Sequence, residues 1–179
     1  MPYGFTHMVF SWLLAKLFSY FKKIKFSSWQ WFALIFGSIF PDIDFVVQWT
    51  FHLRIHKVFT HSLVMIVSGF ILACIGLFII KKIFNQKFRI YHVALFFSLG
   101  IISHIFLDMA SGWPGVGLLW PYKTVWVYFF GIVHGYNPYL LSEKTIEDVI
   151  RTLKWAIFDI GLGALWIFYL MYSKKLKEL

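Results

Sequence analysis

The chain has 179 residues, of which 60% are hydrophobic, 22% aromatic and only 14% charged, and its mean hydropathy is +0.72. Soluble domains contain roughly 45–50% apolar and about 25% charged residues, so the composition excludes an ordinary soluble domain and indicates one integral membrane domain over residues 1–179. The net charge of +9 comes from lysines beside the ends of apolar runs. Lysines in such places anchor helices at lipid headgroups, so we expect membrane lipids and no nucleic acid as partners.

Five apolar segments predict an all-α membrane protein, a bundle of about five transmembrane helices with Gly/Pro/Trp-rich interfacial loops. The first segment carries its basic cluster after the apolar stretch, the reverse of a secretory signal, and is predicted to be a retained helix. The second has about 13 residues, which is short for a full span and suggests a tilted or buried helix. The predicted segments are residues 5–21, 28–40, 60–80, 90–108 and 145–172.

The connections between these segments are expected to lie at the membrane surface. Thr60 is a plausible N-cap of the third segment. The loop "SGWPGVGLLWPYK" suits an interfacial turn, and Thr124 to His134 is predicted to be interfacial or re-entrant. The single Cys74 excludes a disulfide framework.

Four polar islands interrupt the apolar segments: His7 with Ser11, "PDID" with Asp42 and Asp44, "HLRIHKVFTHS" with His52, His56, His61 and Ser62, and "SHIFLD" with His104 and Asp108. Each island alone also fits a structural role, such as a hydrogen-bonded pair, a turn or an interface residue. Ionisable groups inside membrane segments are costly, however, and generally mark function. Four islands in one small bundle therefore favour a shared site.

The spacing within two islands suggests metal ligation. In a helix, His104 and Asp108 lie on one face, one turn apart, and both can reach one ion. Gly100 continues that stripe and leaves room for a neighbouring helix. Asp42 and Asp44 follow Pro41, where we expect the helix to end and an extended backbone to point both carboxylates the same way.

Connectivity predicts that the four islands meet at one depth. We call the side of the loop with Lys22, Lys23 and Lys25 side A, and the opposite side, side B. The first helix then runs from side B to side A, and the next three alternate. His7, Asp42, His61 and His104 all fall near side B. The sequence therefore predicts a common metal site there.

The same residues carry a family resemblance. "GSIFPDID", "HKVFTHS" and "SHIFLDMASGWPGVGLLWPY" resemble, in order and over about residues 4–122, the membrane-bound metal-dependent hydrolases described as LexA-regulated inner-membrane hydrolases. That family has an N-terminal His, then PDID, HR-x-x-THS, and SH-x-x-x-D before a loop ending in LLWP. Two positions depart from its pattern. Lys57 replaces an Arg, which removes a bidentate phosphate clamp, and Phe45 stands where His is frequent.

Mixed His and Asp ligands without thiolate suit a divalent transition metal, Zn²⁺ ahead of Mn²⁺ or Fe²⁺. The seven candidate ligands exceed the needs of one four-coordinate ion, so two ions bridged by Asp42 or Asp44 are also compatible with the sequence. His56, Lys57 and Asp44 are the candidate catalytic residues, and Lys57 with Arg54 could hold a phosphate. Ser11, Ser62 and Thr60 are expected to orient histidines. The candidate metal ligands are His7, Asp42, Asp44, His56, His61, His104 and Asp108.

The expected function is a metal-dependent hydrolase that acts on a phosphoester of an amphiphilic substrate, a lipid or polyprenyl compound, through metal-activated water. The alternatives are a transporter or sensor that binds a transition metal without turnover, and a protein whose metal site serves folding. Trp113, Trp120 and Tyr122 suit anchoring at the interface or substrate gating. Asp159, with Lys16 as a possible partner, His92 and His134 receive no catalytic role.

The distribution of Lys and Arg predicts the orientation of the site. Side A carries eleven of the 17 basic residues and side B six, and short basic loops stay cytoplasmic. The metal site should therefore face the extracytoplasmic side. In a Cys74→Ser background, a membrane-impermeant thiol reagent applied to intact cells should label a cysteine at position 144 and leave one at position 175 unlabelled. The reverse labelling pattern would place the site in the cytoplasm.

Overall fold

The protein is described by a computed structural model that covers residues 3–51, 56–111, 115–122, 125–134 and 145–179. Six α-helices dominate it, and one β-hairpin lies between the last two. The helices are α1 (Gly4–Lys22), α2 (Ser28–Ile39), α3 (Asp44–Phe51), α4 (Leu63–Phe84), α5 (Ile90–Ala110) and α6 (Ile146–Tyr172). The strands are β1 (Val125–Tyr128) and β2 (Gly131–His134), paired antiparallel.

Four helical stretches within the described residues are long and apolar enough to cross a membrane: Ser28–Gln48, Leu63–Phe84, Ile90–Ala110 and Ile146–Tyr172. The predicted all-α membrane protein is confirmed. Helix α1, the first predicted segment, is also helical but is not among these four stretches. Its polar residues, among them His7 and Lys16, lower its hydropathy.

Helix α2 ends at Ile39, just before Pro41, but the extended backbone expected after Pro41 is wrong. The chain passes from α2 through a 3₁₀ turn, Phe40–Ile43, directly into α3. Proline is tolerated there because it stands in the first turn of the 3₁₀ helix, where a backbone N–H would have no helical partner. The second segment is therefore longer than predicted, and it carries Asp42 and Asp44 on helical rather than extended backbone.

One other local prediction, the N-cap of the third segment, is wrong. Helix α4 begins after Ser62, whose hydroxyl accepts a hydrogen bond from the Met65 N–H, so Ser62 rather than Thr60 is the N-cap. The stretch expected to be interfacial or re-entrant forms the β-hairpin, and Val127 also pairs with Val116 in the preceding loop. The predicted C-terminal helix is present, and Thr145 caps it through a capping box with Asp148.

Helices α2 and α5 make the closest contact in the bundle because glycines stand where they cross. A Cβ atom at Gly37 would lie 2.1 Å from the Phe97 carbonyl oxygen, and one at Gly100 would lie 2.3 Å from the Leu34 carbonyl oxygen. Both obstacles are backbone atoms, which a rotamer change cannot move. Small residues thus allow the two helix backbones to touch, as is common in membrane bundles.

Helix α1 packs against α2 and α6 through large aromatic side chains. Trp12 lies edge-on to Trp166, and the two belong to a buried cluster with Trp31, Leu34 and Leu170. This packing holds α1 beside the α2–α5 pair. The start of α1, α2's last turn and the last turns of α5 consequently lie at one end of the bundle.

Replacing Gly100 by alanine should separate α2 from α5 and destabilise the protein by about 1–3 kcal/mol, the usual range for an overpacked site. The measurement is thermal unfolding of the purified protein in detergent. Gly76→Ala in α4 is the matched control, because no atom lies within 4 Å of a Cβ at that position. The control should be neutral or slightly stabilising, since alanine favours helix. Equal Tm values for the two variants would contradict the role given to the α2–α5 contact.

Candidate metal centre

The structure brings residues from all four polar islands to the side-B end of the bundle. His7 comes from the first turn of α1, Asp42 from the 3₁₀ turn, His61 from the segment before α4, and His104 and Asp108 from α5. The side chains of the three histidines and Asp108 are almost fully buried. The side chain of Asp42 is 24% exposed and gives the cluster its contact with the surroundings.

Four donor atoms of this cluster lie close together. His61 Nε2 is 3.0 Å from His104 Nε2, 3.3 Å from Asp108 Oδ2 and 3.7 Å from Asp42 Oδ1. His104 Nε2 is 3.5 Å from Asp42 Oδ1 and 3.8 Å from Asp108 Oδ2. Metal–ligand bonds of ~2.0–2.1 Å place the donors of a tetrahedral Zn²⁺ site about 3.3 Å apart. We call these four atoms the four-donor set. Its five separations that involve a histidine nitrogen, 3.0–3.8 Å, are close to that value, and ligand atoms of His61, His104 and Asp108 all lie within 4.8 Å of one another.

The backbone fixes the tautomer of His104. Its Nδ1 lies 2.7 Å from the carbonyl oxygen of Ser38 in α2, and a carbonyl can only accept. The ring must therefore carry hydrogen on Nδ1, and the neutral ring presents the lone pair of Nε2 to the cluster. The close α2–α5 approach at Gly37 and Gly100 makes this contact possible.

His61 is oriented by a relay of side chains. The Thr60 hydroxyl lies 2.6 Å from Asp44 Oδ2, to which it donates, and 2.9 Å from His61 Nδ1. Because its hydrogen is used on Asp44, the hydroxyl accepts from His61 Nδ1–H. Burial lowers the pKa of His61, which favours the neutral ring. In the neutral ring with hydrogen on Nδ1, Nε2 presents a lone pair toward His104 and Asp108.

Two imidazole lone pairs consequently face each other across 3.0 Å, with two carboxylate oxygens beside them. Without a positive charge between them, these four atoms repel one another in a buried site of low dielectric. A carboxylate, carbonyl or hydroxyl that holds the far nitrogen of a ligating histidine is the usual outer layer of a metal site. The arrangement is therefore suited to holding a cation.

Lys57 supplies one positive charge at the edge of the four-donor set. Its Nζ lies 2.6 Å from Asp108 Oδ2, and its side chain is as buried as that of Asp108. The backbone of Lys57 has a left-handed conformation, φ 61°, and its carbonyl accepts from the Gly117 N–H at 2.8 Å. The loop after the fourth segment thus holds Lys57 in place.

Asp44 lies outside the four-donor set and binds the segment around His56. Its carboxylate accepts from His56 Nδ1 at 2.8 Å, from the Lys57 backbone N–H at 3.1 Å and from Thr60. The helical turn separates it from Asp42, which faces His61 and His104 instead. The predicted parallel orientation of the two carboxylates is therefore wrong. Potential ligand atoms of Asp42, His56 and His61 also lie within 4.8 Å of one another.

His7 flanks the cluster on its other side. Its ring stacks on His104 with centroids 3.7 Å apart, and its Nε2 lies 3.7 Å from Asp108 Oδ1. Ligand atoms of His7, Asp42 and His104 lie within 4.8 Å of one another. His7 therefore lies beside His104 and Asp42 of the four-donor set, whereas His56 lies beside His61 and Asp42.

Asp159, which sequence reasoning left without a role, holds the helix that carries His7. Its carboxylate accepts from the Phe5 and Thr6 backbone N–H groups and from the Thr6 hydroxyl, at 2.6–3.1 Å. It thereby caps α1 from a neighbouring helix, where a negative charge also meets the positive end of the helix dipole. Gly163, one turn further along α6, accommodates the Phe5 ring. A cap supplied from 153 residues away leaves no local sequence pattern by which it could be found.

The remaining polar and aromatic residues singled out in the sequence have various contacts in the structure. Lys16 pairs with Glu178, not with Asp159. Of the three residues expected to orient histidines, Thr60 contacts the His61 ring, whereas the Ser11 hydroxyl bonds the His7 backbone and Ser62 caps α4. Trp120 packs edge-on to Phe59, and Tyr122 is exposed. The predictions for His52, Arg54 and Trp113 lie outside the described residues, as do positions 142 and 144.

The fold and the cluster together define an integral membrane protein of helical type with a buried His/Asp group that could hold a metal ion. The chain belongs to the YdjM inner membrane protein family, whose family model matches residues 1–176. No curated protein and no solved structure matches the chain. Membership of the family identifies the chain as an inner membrane protein and does not assign an enzymatic activity to it.

Alanine in place of His61, His104, Asp42 or Asp108 should reduce the metal content of the purified protein, because each variant removes one member of the four-donor set. Elemental analysis of protein purified in detergent measures the stoichiometry, and circular dichroism checks that the helices persist. His92→Ala is the control, since His92 lies at the other end of α5. Wild-type stoichiometry in all four variants would show that the four-donor set binds no metal.

Proposed function

We propose that this protein is a membrane-embedded, metal-dependent hydrolase that cleaves a phosphoester of an amphiphilic lipid or polyprenyl substrate. The observation that carries the proposal is the 3.0 Å separation of two imidazole Nε2 atoms, both bearing lone pairs, beside two carboxylate oxygens. Such a convergence is stable with a cation at its centre. A divalent transition metal is the cation that imidazole and carboxylate donors bind together.

Zn²⁺ is the metal that we place first, ahead of Mn²⁺ or Fe²⁺. The four-donor set offers two imidazole nitrogens and two carboxylate oxygens, and Zn²⁺ accepts both kinds of ligand. His7 and His56 stand at two edges of the set, each within ligand distance of Asp42 and one further histidine. A second ion would use His7 or His56 as a ligand. The metal stoichiometry from elemental analysis tests whether it is present.

The residues around the four-donor set suit phosphoester hydrolysis. A bound divalent metal supplies an activated water and stabilises negative charge on phosphoryl oxygens. The buried ammonium of Lys57 lies within reach of the same region and can hold a non-bridging phosphoryl oxygen in place of Asp108. The Asp44–His56 pair, with Nδ1 of His56 held by a carboxylate, has the arrangement of an oriented acid–base histidine.

The proposed reaction needs only the phosphoester and one water molecule. The water oxygen forms a bond to phosphorus, and the ester P–O bond breaks. One proton leaves the water, and one is delivered to the departing alkoxide. The imidazole of His56 can accept the first proton and donate the second. The products are an alcohol and a phosphate monoester or inorganic phosphate, depending on the ester cleaved.

An amphiphilic substrate is supported by the surroundings of the opening. Asp42 is the most exposed member of the cluster, and the adjoining Ile43 and Phe45 expose apolar side chains. A headgroup could approach Asp42 while its hydrocarbon chain remains against these residues. The basic residues on side A further support an opening toward the extracytoplasmic face.

The four-donor set also supports a second candidate, a transition-metal-binding protein without turnover. Four protein donors complete a tetrahedral site, and closed sites are typical of structural metals, whereas catalytic sites keep an open position. The Lys57–Asp108 ion pair favours the catalytic reading, because it offers Asp108 a partner other than the metal. A transport path is less well supported, because the carboxylate of Asp159, near the middle of α6, is occupied by capping the start of α1.

Purified protein loaded with Zn²⁺ or Mn²⁺ should release phosphate from farnesyl phosphate or phosphatidic acid and much less from soluble glycerol phosphate. Chelation should abolish the release and added metal restore it. Lys57→Met and His56→Gln should each lose about 100-fold or more in rate while keeping their metal, because they alter charge and proton transfer. His61→Ala should lose both metal and activity, and Lys82→Gln is the matched charge control.

Two outcomes would overturn hydrolysis. Turnover that survives chelation or His61→Ala would belong to a contaminant. Stoichiometric metal without turnover of either amphiphile would favour the metal-binding protein without activity.

A further inference from the structure

A long apolar groove lies between α1 and α5, with α2 at its base. It encloses a volume of about 760 Å³ and contains few polar atoms. The side chains that form most of its wall are Leu14, Phe18, Leu34, Leu95, Phe96 and Leu99. The groove belongs neither to the four-donor set nor to its opening at Asp42.

The two ends of the groove differ chemically. Toward side B the lining includes Ser11, Ser103 and Phe106. The two serine hydroxyl oxygens lie 2.5 Å apart, and each is also within hydrogen-bond distance of a backbone carbonyl of its own helix. The two hydroxyls share two protons among these three contacts and carry no charge. Its outer end lies on side A, where Lys25, Gln30 and His92 line the mouth.

The groove is long enough to hold the hydrocarbon chain of a lipid from one leaflet. Its lining on α5 extends from His92 to Phe106, fourteen residues or about 21 Å along the helix axis. The hydrocarbon core of a bilayer is about 30 Å thick, so one leaflet accounts for ~15 Å. An acyl chain that starts at the side-A headgroup region would therefore fit within the groove and reach the level of the serine pair.

We propose that this groove binds one acyl chain of an anionic phospholipid from the side-A leaflet, with the phosphate of its headgroup at Lys25. Charge complementarity at the mouth selects this occupant, because Lys22 and Lys23 stand beside Lys25 and all three are exposed. Clusters of lysines at a membrane surface attract anionic lipids. The site does not depend on the proposed hydrolysis.

The chain end of such a lipid would lie close to the candidate metal centre. Ser11 is one turn from His7, and its hydroxyl bonds the His7 carbonyl oxygen, while Ser103 precedes His104. Where α1 and α5 separate, the bound chain would fill the space between them and support the contact that stacks His7 on His104. The lipid would thus contribute to the placement of α1.

The test uses the whole protein in phosphatidylcholine vesicles that contain phosphatidylglycerol with a diazirine near the end of one acyl chain. After illumination, mass spectrometry locates the adducts. Adducts should concentrate at groove residues of α1 and α5, about fivefold above those from a phosphatidylcholine probe with the same chain, the effect expected of one well-placed lysine.

Two variants and two matched controls complete the experiment. Lys25→Gln should reduce phosphatidylglycerol labelling to the level of the phosphatidylcholine probe, and Lys82→Gln, also on side A, should not. Leu99→Trp should fill the groove and suppress labelling by both probes, whereas Ile71→Trp on the exposed face of α4 should not. Equal labelling by the two probes, or adducts spread evenly over α4 and α6, would overturn the proposal. An unchanged pattern in Lys25→Gln would overturn it as well.

Discussion

The direct backbone contact between α2 and α5 is the constraint on which the candidate site depends. Gly37 and Gly100 leave no space for a Cβ at the crossing, and the carbonyl of Ser38 can therefore reach Nδ1 of His104. That hydrogen bond decides which nitrogen of His104 faces the cluster. The same approach places Asp42, at the end of α2, opposite the last turns of α5. A change in helix spacing of one methyl group would disturb both.

The electrostatic organisation of the cluster follows from its burial. Charged groups near the hydrocarbon region are costly unless they are paired, and the three buried members of the four-donor set each have a partner: Lys57 for Asp108, Thr60 for His61 and the Ser38 carbonyl for His104. Asp44 holds the segment from His56 to Thr60 together. These contacts leave the lone pairs of two imidazoles directed at one point. Thr60 and the Ser38 carbonyl thus hold the two imidazole rings by the nitrogens that face away from the cluster.

Helix α1 connects the candidate metal centre with the rest of the bundle. Asp159 of α6 caps its first turn, and aromatic packing through Trp12 and Trp166 holds its middle. This anchoring of α1 positions His7 beside His104 and Asp108. The apolar groove lies where α1 and α5 diverge, on the other side of the Ser11–Ser103 contact. The groove and the cluster therefore share helix α1.

The sequence by itself determined the membrane class, the helical segments and the convergence of His7, Asp42, His61, His104 and Asp108 at one end, because hydrophobic length and alternating direction fix the depth of each residue. It could not determine the helical path through Pro41, since local sequence there is equally compatible with a turn. Only the tertiary structure separated Asp42, which faces the cluster, from Asp44, which holds its surroundings. It alone showed the roles of Ser38 and Asp159, because a backbone carbonyl and a cap from another helix act through contacts between distant segments, which leave no pattern in the chain.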